Sequence, residues 1–97
     1  MLNSKQRAYL MSMASKQSAI LQVGKASLTP EIITSVDAAL EKRELIKLSV
    51  LKNCFDDPRE IAETIAERTR SQVVQVIGKK IILFRVSSKK PVIELPN

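Results

Sequence analysis

Two hydrophobic periods alternate along this chain, and together they predict its secondary structure. Apolar residues at helical spacing predict three helices, one over residues 5–15 and two that begin at Pro30 and Pro58. Short β-branched or alternating segments predict four strands, at residues 19–23, 45–51, 72–77 and 80–86. Because strands separated by helices need crossover connections, the order α-β-α-β-α-β-β predicts an α/β fold with one four-stranded mixed sheet and helices packed on it.

The boundaries of these elements carry recognisable signals. Ser4 is the expected N-cap of the first helix, while Thr29 and Asp57 each precede a proline at the first helical position. Glu60 stands three residues after Asp57, which is the spacing of a capping box. Gly78 suits the first position of a tight turn between the last two strands, and it predicts an antiparallel hairpin.

Composition narrows the class of protein. At 97 residues, 44% of them hydrophobic and 27% charged, the chain is expected to form a single globular domain over residues 1–97. The sequence has no histidine, which removes the usual general base and the commonest metal ligand. The lone cysteine excludes a disulfide or a structural zinc site within one chain. We therefore expect no enzyme, no cofactor and no metal, with Cys54 as a small apolar core residue.

Hydropathy predicts a protein that stays away from membranes. No apolar stretch approaches the length needed to cross a bilayer, and the first residues lack the basic-then-apolar pattern of a signal peptide. The expectation is a cytoplasmic protein without membrane association. A monomer is the default expectation for its assembly state.

The net charge of +6 is unevenly distributed. Residues 1–30 carry four bases and no acid, residues 31–67 carry five bases and nine acids, and residues 68–97 carry seven bases and one acid. Two basic ends of this kind attract polyanions through counterion release, which indicates a nucleic-acid partner. The alternative is a solvated surface that serves solubility alone. The tail from Ser87 onward, with two lysines and two prolines, is expected to run over the surface.

The connection between the first strand and the second helix has the chemistry of a phosphate-binding corner. Gly24 is expected to allow a backbone conformation that other residues disfavour, and a close approach by another chain. Lys25 adds a full charge, Ser27 adds a hydroxyl, and the helix start after Thr29 offers unpaired N–H groups. The alternative is an ordinary strand-to-helix turn in which Lys25 is merely exposed. The segment is not a nucleotide-binding P-loop, because it lacks the second glycine and the Gly-Lys-Ser/Thr ending.

Two further basic clusters are candidates for phosphate contact. Lys79 and Lys80 lie at the tip of the predicted hairpin, where the alternative is a charged turn that blunts edge pairing. Lys5, Gln6 and Arg7 occupy the first turn of the first helix, where the helix dipole disfavours cations. Bases in that position are a mild local cost and suggest a role beyond helix stability. The alternative is that the fold simply tolerates this cost.

Several short motifs follow one another in a specific order from Ser4 to about Pro96. They are Lys5-Gln6-Arg7, Leu10, Ala14, Val23-Gly24-Lys25, Leu28-Thr29, Ala39-Leu40, Glu44-Leu45-Ile46-Lys47, Val76-Ile77-Gly78-Lys79 and Leu83-Phe84-Arg85. Taken jointly, at these spacings, they resemble the CRM domain, the chloroplast RNA splicing and ribosome maturation domain. The resemblance is to its stand-alone bacterial form, the YhbY-like proteins.

The resemblance implies a fold similar to the C-terminal domain of bacterial translation initiation factor three, with a KH-like loop that binds RNA. The family's Gly-x-x-Gly loop maps onto Gly24-Lys25-Ala26-Ser27, and KH domains clamp a nucleic-acid backbone with such a loop. This chain departs from the family pattern at Ser27, which replaces the second glycine, and at Met11, where the family often has a base. The resemblance also implies association with ribosomal RNA in precursors of the large ribosomal subunit.

The residue chemistry and the resemblance lead to the same hypothesis, an RNA-binding protein that grips the RNA backbone. Its candidate RNA-binding residues are Lys5, Gln6, Arg7, Gly24, Lys25, Ala26, Ser27, Lys79, Lys80 and Arg85. We expect the cations to converge beside Gly24 after folding and, because only three residues are aromatic, base stacking to be minor. The alternative class is a protein-interaction module, with exposed Met11 and Met13 or the acidic middle segment as its cue. No helix-turn-helix or zinc signature supports a DNA-binding protein.

Overall fold

The computed structural model describes residues 2–97 and contains the predicted elements in the predicted order. The helices are α1 (Ser4–Ala14), α2 (Pro30–Arg43) and α3 (Pro58–Thr69), and the strands are β1 (Leu21–Val23), β2 (Leu45–Val50), β3 (Gln72–Ile77) and β4 (Lys80–Phe84). β1, β2 and β4 are one or two residues shorter than predicted, because apolar residues continue beyond the residues that pair in the sheet. Ile20, for example, still donates its N–H to the carbonyl of Lys47 at 2.9 Å just before β1 begins.

The four strands form one mixed sheet in the order β1-β2-β4-β3. β1 is parallel to β2, and β4 is antiparallel to both of its neighbours. β1, β2 and β3 therefore end at the same edge of the sheet, where β4 begins. We call this edge the loop end, and it comprises the β1–α2 loop (24–29), the β2–α3 loop (51–57) and the β3–β4 turn (78–79). The edge where β4 stops is the opposite end.

Side chains alternate across the sheet and build a core on each face. α2 and α3 cover one face, and their core includes Val36, Leu40, Ile46, Leu48, Ile61, Ile65, Ile81 and Leu83. α1 covers the other face, and its core includes Leu10, Ala14, Leu45, Val74, Ile82 and Phe84. The predicted alternation of β2 is confirmed, because Ile46 and Leu48 are buried under the helices while Lys47 lies on the α1 face.

α1 is capped by Asn3, so the expectation that Ser4 is its N-cap is wrong. Asn3 Oδ1 accepts the backbone N–H of Gln6 at 2.8 Å, and Gln6 Oε1 accepts the backbone N–H of Asn3 at 3.1 Å. This reciprocal pair is a capping box built from two amide side chains, and it places Ser4 inside the first helical turn.

The prolines begin α2 and α3 as predicted. Thr29 Oγ1 accepts the N–H of Ile32 at 3.2 Å and so caps α2. Asp57 Oδ1 caps α3 by accepting the N–H of Arg59 at 3.1 Å, one residue earlier than a capping box requires. Glu60 therefore supports this helix start through its charge in the first turn.

Gly78 opens the hairpin with a φ of +55°, whereas Lys79 keeps a negative φ. A positive φ at the first central residue alone is the pattern of a type II′ turn, which agrees with the predicted tight hairpin. A Cβ at Gly78 would touch nothing within 4 Å, so glycine is favoured here by backbone conformation rather than by space.

The tail that follows β4 runs only partly over the surface. Lys89 is exposed as expected, but Ile93 and Leu95 pack against the core under α1. The tail backbone is held by the carboxylate of Glu44, which accepts the N–H groups of three tail residues at 2.7–2.8 Å. The tail thus acts as a strap that links the end of α2 to the α1 face.

Candidate functional site

The connections at the loop end are held in a row by backbone hydrogen bonds. Val50 donates its N–H to the carbonyl of Lys79 at 2.7 Å, which ties the hairpin turn to the end of β2. Leu51 donates its N–H to the carbonyl of Val23 at 2.9 Å, which ties the end of β2 to the residue before Gly24. The β2–α3 loop therefore lies between the two connections in which the sequence predicts phosphate contacts.

The β1–α2 loop closes on itself through a four-residue turn. Ser27 donates its N–H to the carbonyl of Gly24 at 2.9 Å, and Ser27 adopts the left-handed φ of 56°. Gly24 itself has no positive φ, so the expectation that Gly24 supplies the unusual backbone conformation is wrong. The left-handed residue is the last of the turn, which is the position onto which the family's second glycine maps.

Space around Gly24 is also less restricted than the sequence suggests. A Cβ at Gly24 would lie 3.6 Å from Leu51 Cδ1 and 3.7 Å from Asn53 Oδ1, which are ordinary contacts. These two neighbours show that the β1–α2 loop lies directly against the β2–α3 loop. A side chain at Gly24 would therefore obstruct an approaching ligand more than it would disturb the fold.

The exposed part of the β1–α2 loop offers several groups to an anion. Lys25 and Ala26 are exposed, and within residues 2–97 their backbone N–H groups have no protein acceptor. α2 starts a few residues later, so the partial positive charge of its first turn faces the same end of the sheet. This combination of amides, a lysine and a helix start is suited to a phosphate group.

The hairpin turn adds two exposed lysines to the loop end. Lys79 is exposed, and its carbonyl is the one that Val50 holds. Lys80 is also exposed, and its Nζ lies 3.0 Å from Ser49 Oγ on the neighbouring strand. Lys79 and Lys80 therefore stand at the same edge of the sheet as Lys25, although 54 or more positions separate them from it in the sequence.

Lys52 is a further cation at this end that the motif analysis missed. It is exposed in the turn directly after β2, between the β1–α2 loop and the hairpin. No local pattern distinguishes Lys52 from any other surface lysine. The signal lies in the strand order, since a residue that follows a strand paired with both β1 and β4 must lie between their connections.

The cations of α1 lie elsewhere. Leu2, just before the helix, donates its N–H to Gln72 Oε1 at 3.0 Å, which places the start of α1 beside the first residue of β3 and at the opposite end. Lys5 is exposed there. Gln6 is occupied by the capping box and by a bond from its Nε2 to the carbonyl of Pro96 at 3.1 Å.

Arg7 is hydrogen-bonded to the backbone of β3, the outermost strand next to β4. Its Nη1 donates to the carbonyls of Val73 and Val74 at 2.7 and 2.6 Å. The pairing of β3 with β4 shifts register between Val73 and Gln75, so these carbonyls belong to a β-bulge. Arg7 supplies the charge-assisted bonds that this irregularity needs.

Arg85 is held within the protein as well. Its Nη1 lies 2.6 Å from Asp37 Oδ1 and donates to the carbonyl of Thr69 at 2.7 Å, while Nη2 donates to the carbonyl of Asp37 at 2.9 Å. Only 18% of the Arg85 side chain is exposed. Arg85 thus joins the middle of α2 to the last residue of α3, beyond the end of β4.

The structure therefore brings together only part of the predicted set. The residues that it gathers at the loop end are Gly24, Lys25, Ala26, Ser27, Lys79 and Lys80. The expectation that all the cations converge beside Gly24 is wrong for Lys5, Arg7 and Arg85. The start of α1 and the end of β4, which carry these residues, both lie at the opposite end of the sheet. A role of those three in RNA contact remains a prediction.

Acidic side chains at the loop end restrict the part of this surface that a polyanion can approach. They lie at the starts of α2 and α3, namely Glu31, Asp56, Asp57 and Glu60. A small cleft of about 150 Å³ between the two helix starts is lined by Ser27, Asp56 and Glu60 among others, and its carboxylates repel phosphate. An RNA backbone is therefore expected along the lysine-bearing loops and away from this cleft.

The methionines of α1 are only partly exposed. Met11 and Met13 are both half-buried against the core on the α1 face. The expectation that they are exposed is therefore wrong, while a protein partner as the alternative class stays a prediction. In the acidic middle segment, Glu41 and Glu44 accept hydrogen bonds from the tail and so serve the fold.

Residues 2–97 contain neither a cluster of metal-binding side chains nor a membrane-spanning helix. In this range no group of three or more His, Cys, Asp or Glu side chains is placed to hold a metal ion. None of the helices described is both long enough and apolar enough to cross a membrane. Cys54 is 2% exposed and lies in the core under α2 and α3, as predicted.

Comparison with known proteins identifies the family of this chain. The model of the CRS1 / YhbY (CRM) domain matches residues 2–85. The chain is 45% identical over 96 residues to the Probable RNA-binding protein YqeI of Bacillus subtilis, covering 99% of this chain and all of the relative. It is 30% identical over 96 residues to an RNA-binding protein of Haemophilus influenzae, covering 99% and 96%.

The fold also matches a solved structure. The solution structure of the hypothetical protein SAV1595 from Staphylococcus aureus superposes with a TM-score of 0.82 at 49% sequence identity. The match covers 99% of this chain and 100% of that chain. The predicted α/β architecture with a four-stranded mixed sheet is therefore confirmed both by the coordinates and by a relative of the same length.

Proposed function

This chain belongs to the CRS1 / YhbY (CRM) domain family, and from that premise we propose that it binds RNA through the loop end of its sheet. The observation that carries the proposal is the row of three connections in which Lys25, Lys52 and Lys79 are exposed. Backbone hydrogen bonds hold these connections together, so little conformational entropy is lost when a phosphate backbone lies across them. Relatives of the same length are named as RNA-binding proteins.

The mode of binding that fits this site is recognition of the RNA backbone. Ammonium groups contact phosphates, and the exposed N–H groups of Lys25 and Ala26 add donors that a negatively charged oxygen accepts. The residues of the site carry no group that performs chemistry on the RNA. The protein accordingly acts as a binding protein and not as an enzyme.

We further propose that the RNA is ribosomal RNA in precursors of the large ribosomal subunit, which a monomer of this protein binds during assembly in the cytoplasm. This finer assignment follows from the family resemblance. It is tested by comparing fragments of large-subunit and small-subunit ribosomal RNA, and by asking whether the protein sediments with large-subunit precursors. Equal affinity for both sets of fragments, with no protein in the precursor fractions, would refute the ribosomal assignment while leaving RNA binding intact.

The experiment that tests RNA binding is a salt series with structured RNA fragments. Four lysines at the loop end predict a slope of log affinity against log salt of about −3. The Lys25→Ala substitution removes one phosphate contact, so we expect the slope to become shallower by about one. Lys42→Ala is the matched control, because Lys42 is also exposed but lies in the last turn of α2 at the opposite end.

Two results would contradict the proposal. The first is affinity that does not change with salt, or an absence of RNA binding at low salt. The second is an equal loss of affinity in Lys25→Ala and Lys42→Ala, which would indicate a general effect of positive charge rather than a site. Salt-insensitive binding to a ribosomal protein, with none to RNA, would favour a protein-interaction module.

A further inference from the structure

The β2–α3 loop exposes an aromatic ring that the fold does not use. Phe55 is 93% exposed, whereas its neighbour Cys54 is 2% exposed and Phe84 is buried in the core under α1. A phenylalanine side chain in water forgoes the stabilisation that burial provides. The Phe55 ring is therefore not buried in the fold, and it is available to a partner.

Phe55 stands on a loop that is fixed at both sides. Cys54 donates its N–H to the carbonyl of Leu51 at 3.0 Å and places its side chain in the core. Two residues after Phe55, Asp57 caps α3. The position of the ring is thus restricted before any ligand arrives, so that ordering the loop costs little on binding.

The loop that carries the ring also lies in the middle of the proposed RNA site. The loop that carries it leaves β2, which lies between the strand that leads to Lys25 and the strand that follows Lys79. The turn after β2 also exposes Lys52, three residues before Phe55. An exposed ring on a loop that also carries a lysine is complementary to a nucleotide, because the base stacks on the ring while the phosphates meet the lysines, away from the acidic cleft that Asp56 lines.

We propose that Phe55 stacks on an unpaired base of the bound RNA. The inference rests on the proposed function and deepens it, since it names the class of RNA. The faces of paired bases are covered by their neighbours in a duplex, so a stacking residue selects a loop, a bulge or a single strand. The small number of aromatic residues led to the expectation that stacking is minor, but that number says nothing of where the exposed ring lies.

The test compares two RNAs and three variants. One RNA is a hairpin with 2-aminopurine at an unpaired loop position, and the other is a blunt duplex of equal length. We expect Phe55→Ala to weaken hairpin binding by about 5- to 100-fold and to leave duplex binding unchanged. Phe55→Tyr keeps an aromatic face and should retain hairpin affinity. Val92→Ala is the control, because Val92 is 71% exposed and lies on the tail, away from the loop end.

Fluorescence gives a readout that a structural role would not change. Stacking on Phe55 should alter 2-aminopurine emission when wild-type protein or Phe55→Tyr binds, and this change should be absent with Phe55→Ala. If Phe55→Ala binds both RNAs as the wild type does, or weakens both equally, the stacking inference is overturned while RNA binding stands. If the wild type binds neither RNA at low salt, the proposed function itself fails.

Discussion

Val50 donates its backbone N–H to the carbonyl of Lys79 at 2.7 Å, and this bond fixes the hairpin turn beside the end of β2. The two residues are 29 positions apart in the sequence. Because β2 also pairs with β1, the bond brings the hairpin lysines to the same edge as the β1–α2 loop. The row of exposed lysines at the loop end therefore depends on contacts between segments that are distant in the sequence.

Removal of both hairpin lysines should weaken RNA binding without loss of stability. In the double variant Lys79→Ala/Lys80→Ala, we expect the slope of log affinity against log salt to become shallower by about two, because two phosphate contacts are lost. The matched control is Lys89→Ala/Lys90→Ala, another adjacent exposed pair, which lies on the tail at the opposite end. A similar change of slope in both double variants would show that the position of the charges is irrelevant.

Arg85→Ala should destabilise the fold. The substitution removes the charge-assisted bonds to Asp37 and leaves the carbonyl of buried Thr69 without its donor. We expect the free energy of unfolding to fall by about 1–2 kcal/mol, measured by urea denaturation. Arg43→Ala, an exposed arginine in the last turn of α2, should change it by no more than about 0.5 kcal/mol.

The same variant separates a structural role of Arg85 from a role in RNA contact. At a temperature where Arg85→Ala is folded, its RNA affinity and salt slope should equal those of the wild type, since the guanidinium is directed at the protein. A normal unfolding midpoint together with a shallower salt slope would reverse this assignment and make Arg85 a phosphate contact.

Ser27→Gly should stabilise the protein. Ser27 holds a left-handed φ of 56°, which costs free energy for a residue with a Cβ and little for glycine. After the greater freedom of glycine in the unfolded chain is allowed for, we expect a gain of up to about 1 kcal/mol. The control is Ala26→Gly in the same turn, which has no positive φ and should lose about 0.5 kcal/mol. Thermal unfolding of both variants checks the prediction, which fails if both shift in the same direction.

Glu44 should make the stability of the protein sensitive to acid. The Glu44 carboxylate is 1% exposed and accepts the N–H groups of Ser87, Val92 and Ile93. Burial by itself raises the pKa of Glu44, but these three backbone donors outweigh burial and the repulsion from Glu41, and the pKa lies below 4.5. Because the charged form is favoured in the folded state, its stabilising contribution is present above pH 4.5 and is lost as the pH falls through the lowered pKa.

Glu44→Gln tests this dependence. At pH 7 we expect a loss of about 1–3 kcal/mol, because an amide oxygen is a weaker acceptor and its NH₂ group faces backbone donors. Between pH 7 and pH 3 the wild type should lose more stability than Glu44→Gln does, as measured by urea denaturation at several pH values. Glu94→Gln, an exposed tail variant, should follow the wild-type pH profile. Parallel profiles for wild type and Glu44→Gln would show that Glu44 does not carry the acid sensitivity.

Most of the secondary structure could be read from local patterns. The alternation of Ile46 and Leu48 with Lys47 has the period of a strand, and Pro30 and Pro58 begin helices because their fixed φ suits the first turn. The first helix shows the limit of such signals, since Asn3 and Ser4 are both good caps. Asn3 is the cap because the Gln6 side chain also accepts the backbone N–H of Asn3, which completes the capping box.

The candidate site was predicted in part. The loops around Lys25 and Lys79 were recognised by their local composition, and the structure places them at the same end of the sheet, on either side of the β2–α3 loop. Arg7 and Arg85 were included because they are basic, but their partners are 66 and 48 positions away and no local pattern reveals them. Phe55 was overlooked because an apolar residue is expected in the core, and only the folded chain shows that its ring is exposed.

The amino-acid sequence was sufficient for the elements, their order, the hairpin turn at Gly78 and the excess of positive charge, because each depends on neighbours within a few residues. Tertiary structure alone decided which lysines share an edge, which arginines are bound inside, and that Glu44 holds the tail. These outcomes depend on strand order and on contacts across dozens of residues. Their free energy becomes available only after distant segments have been brought together, so it leaves no trace in a local pattern.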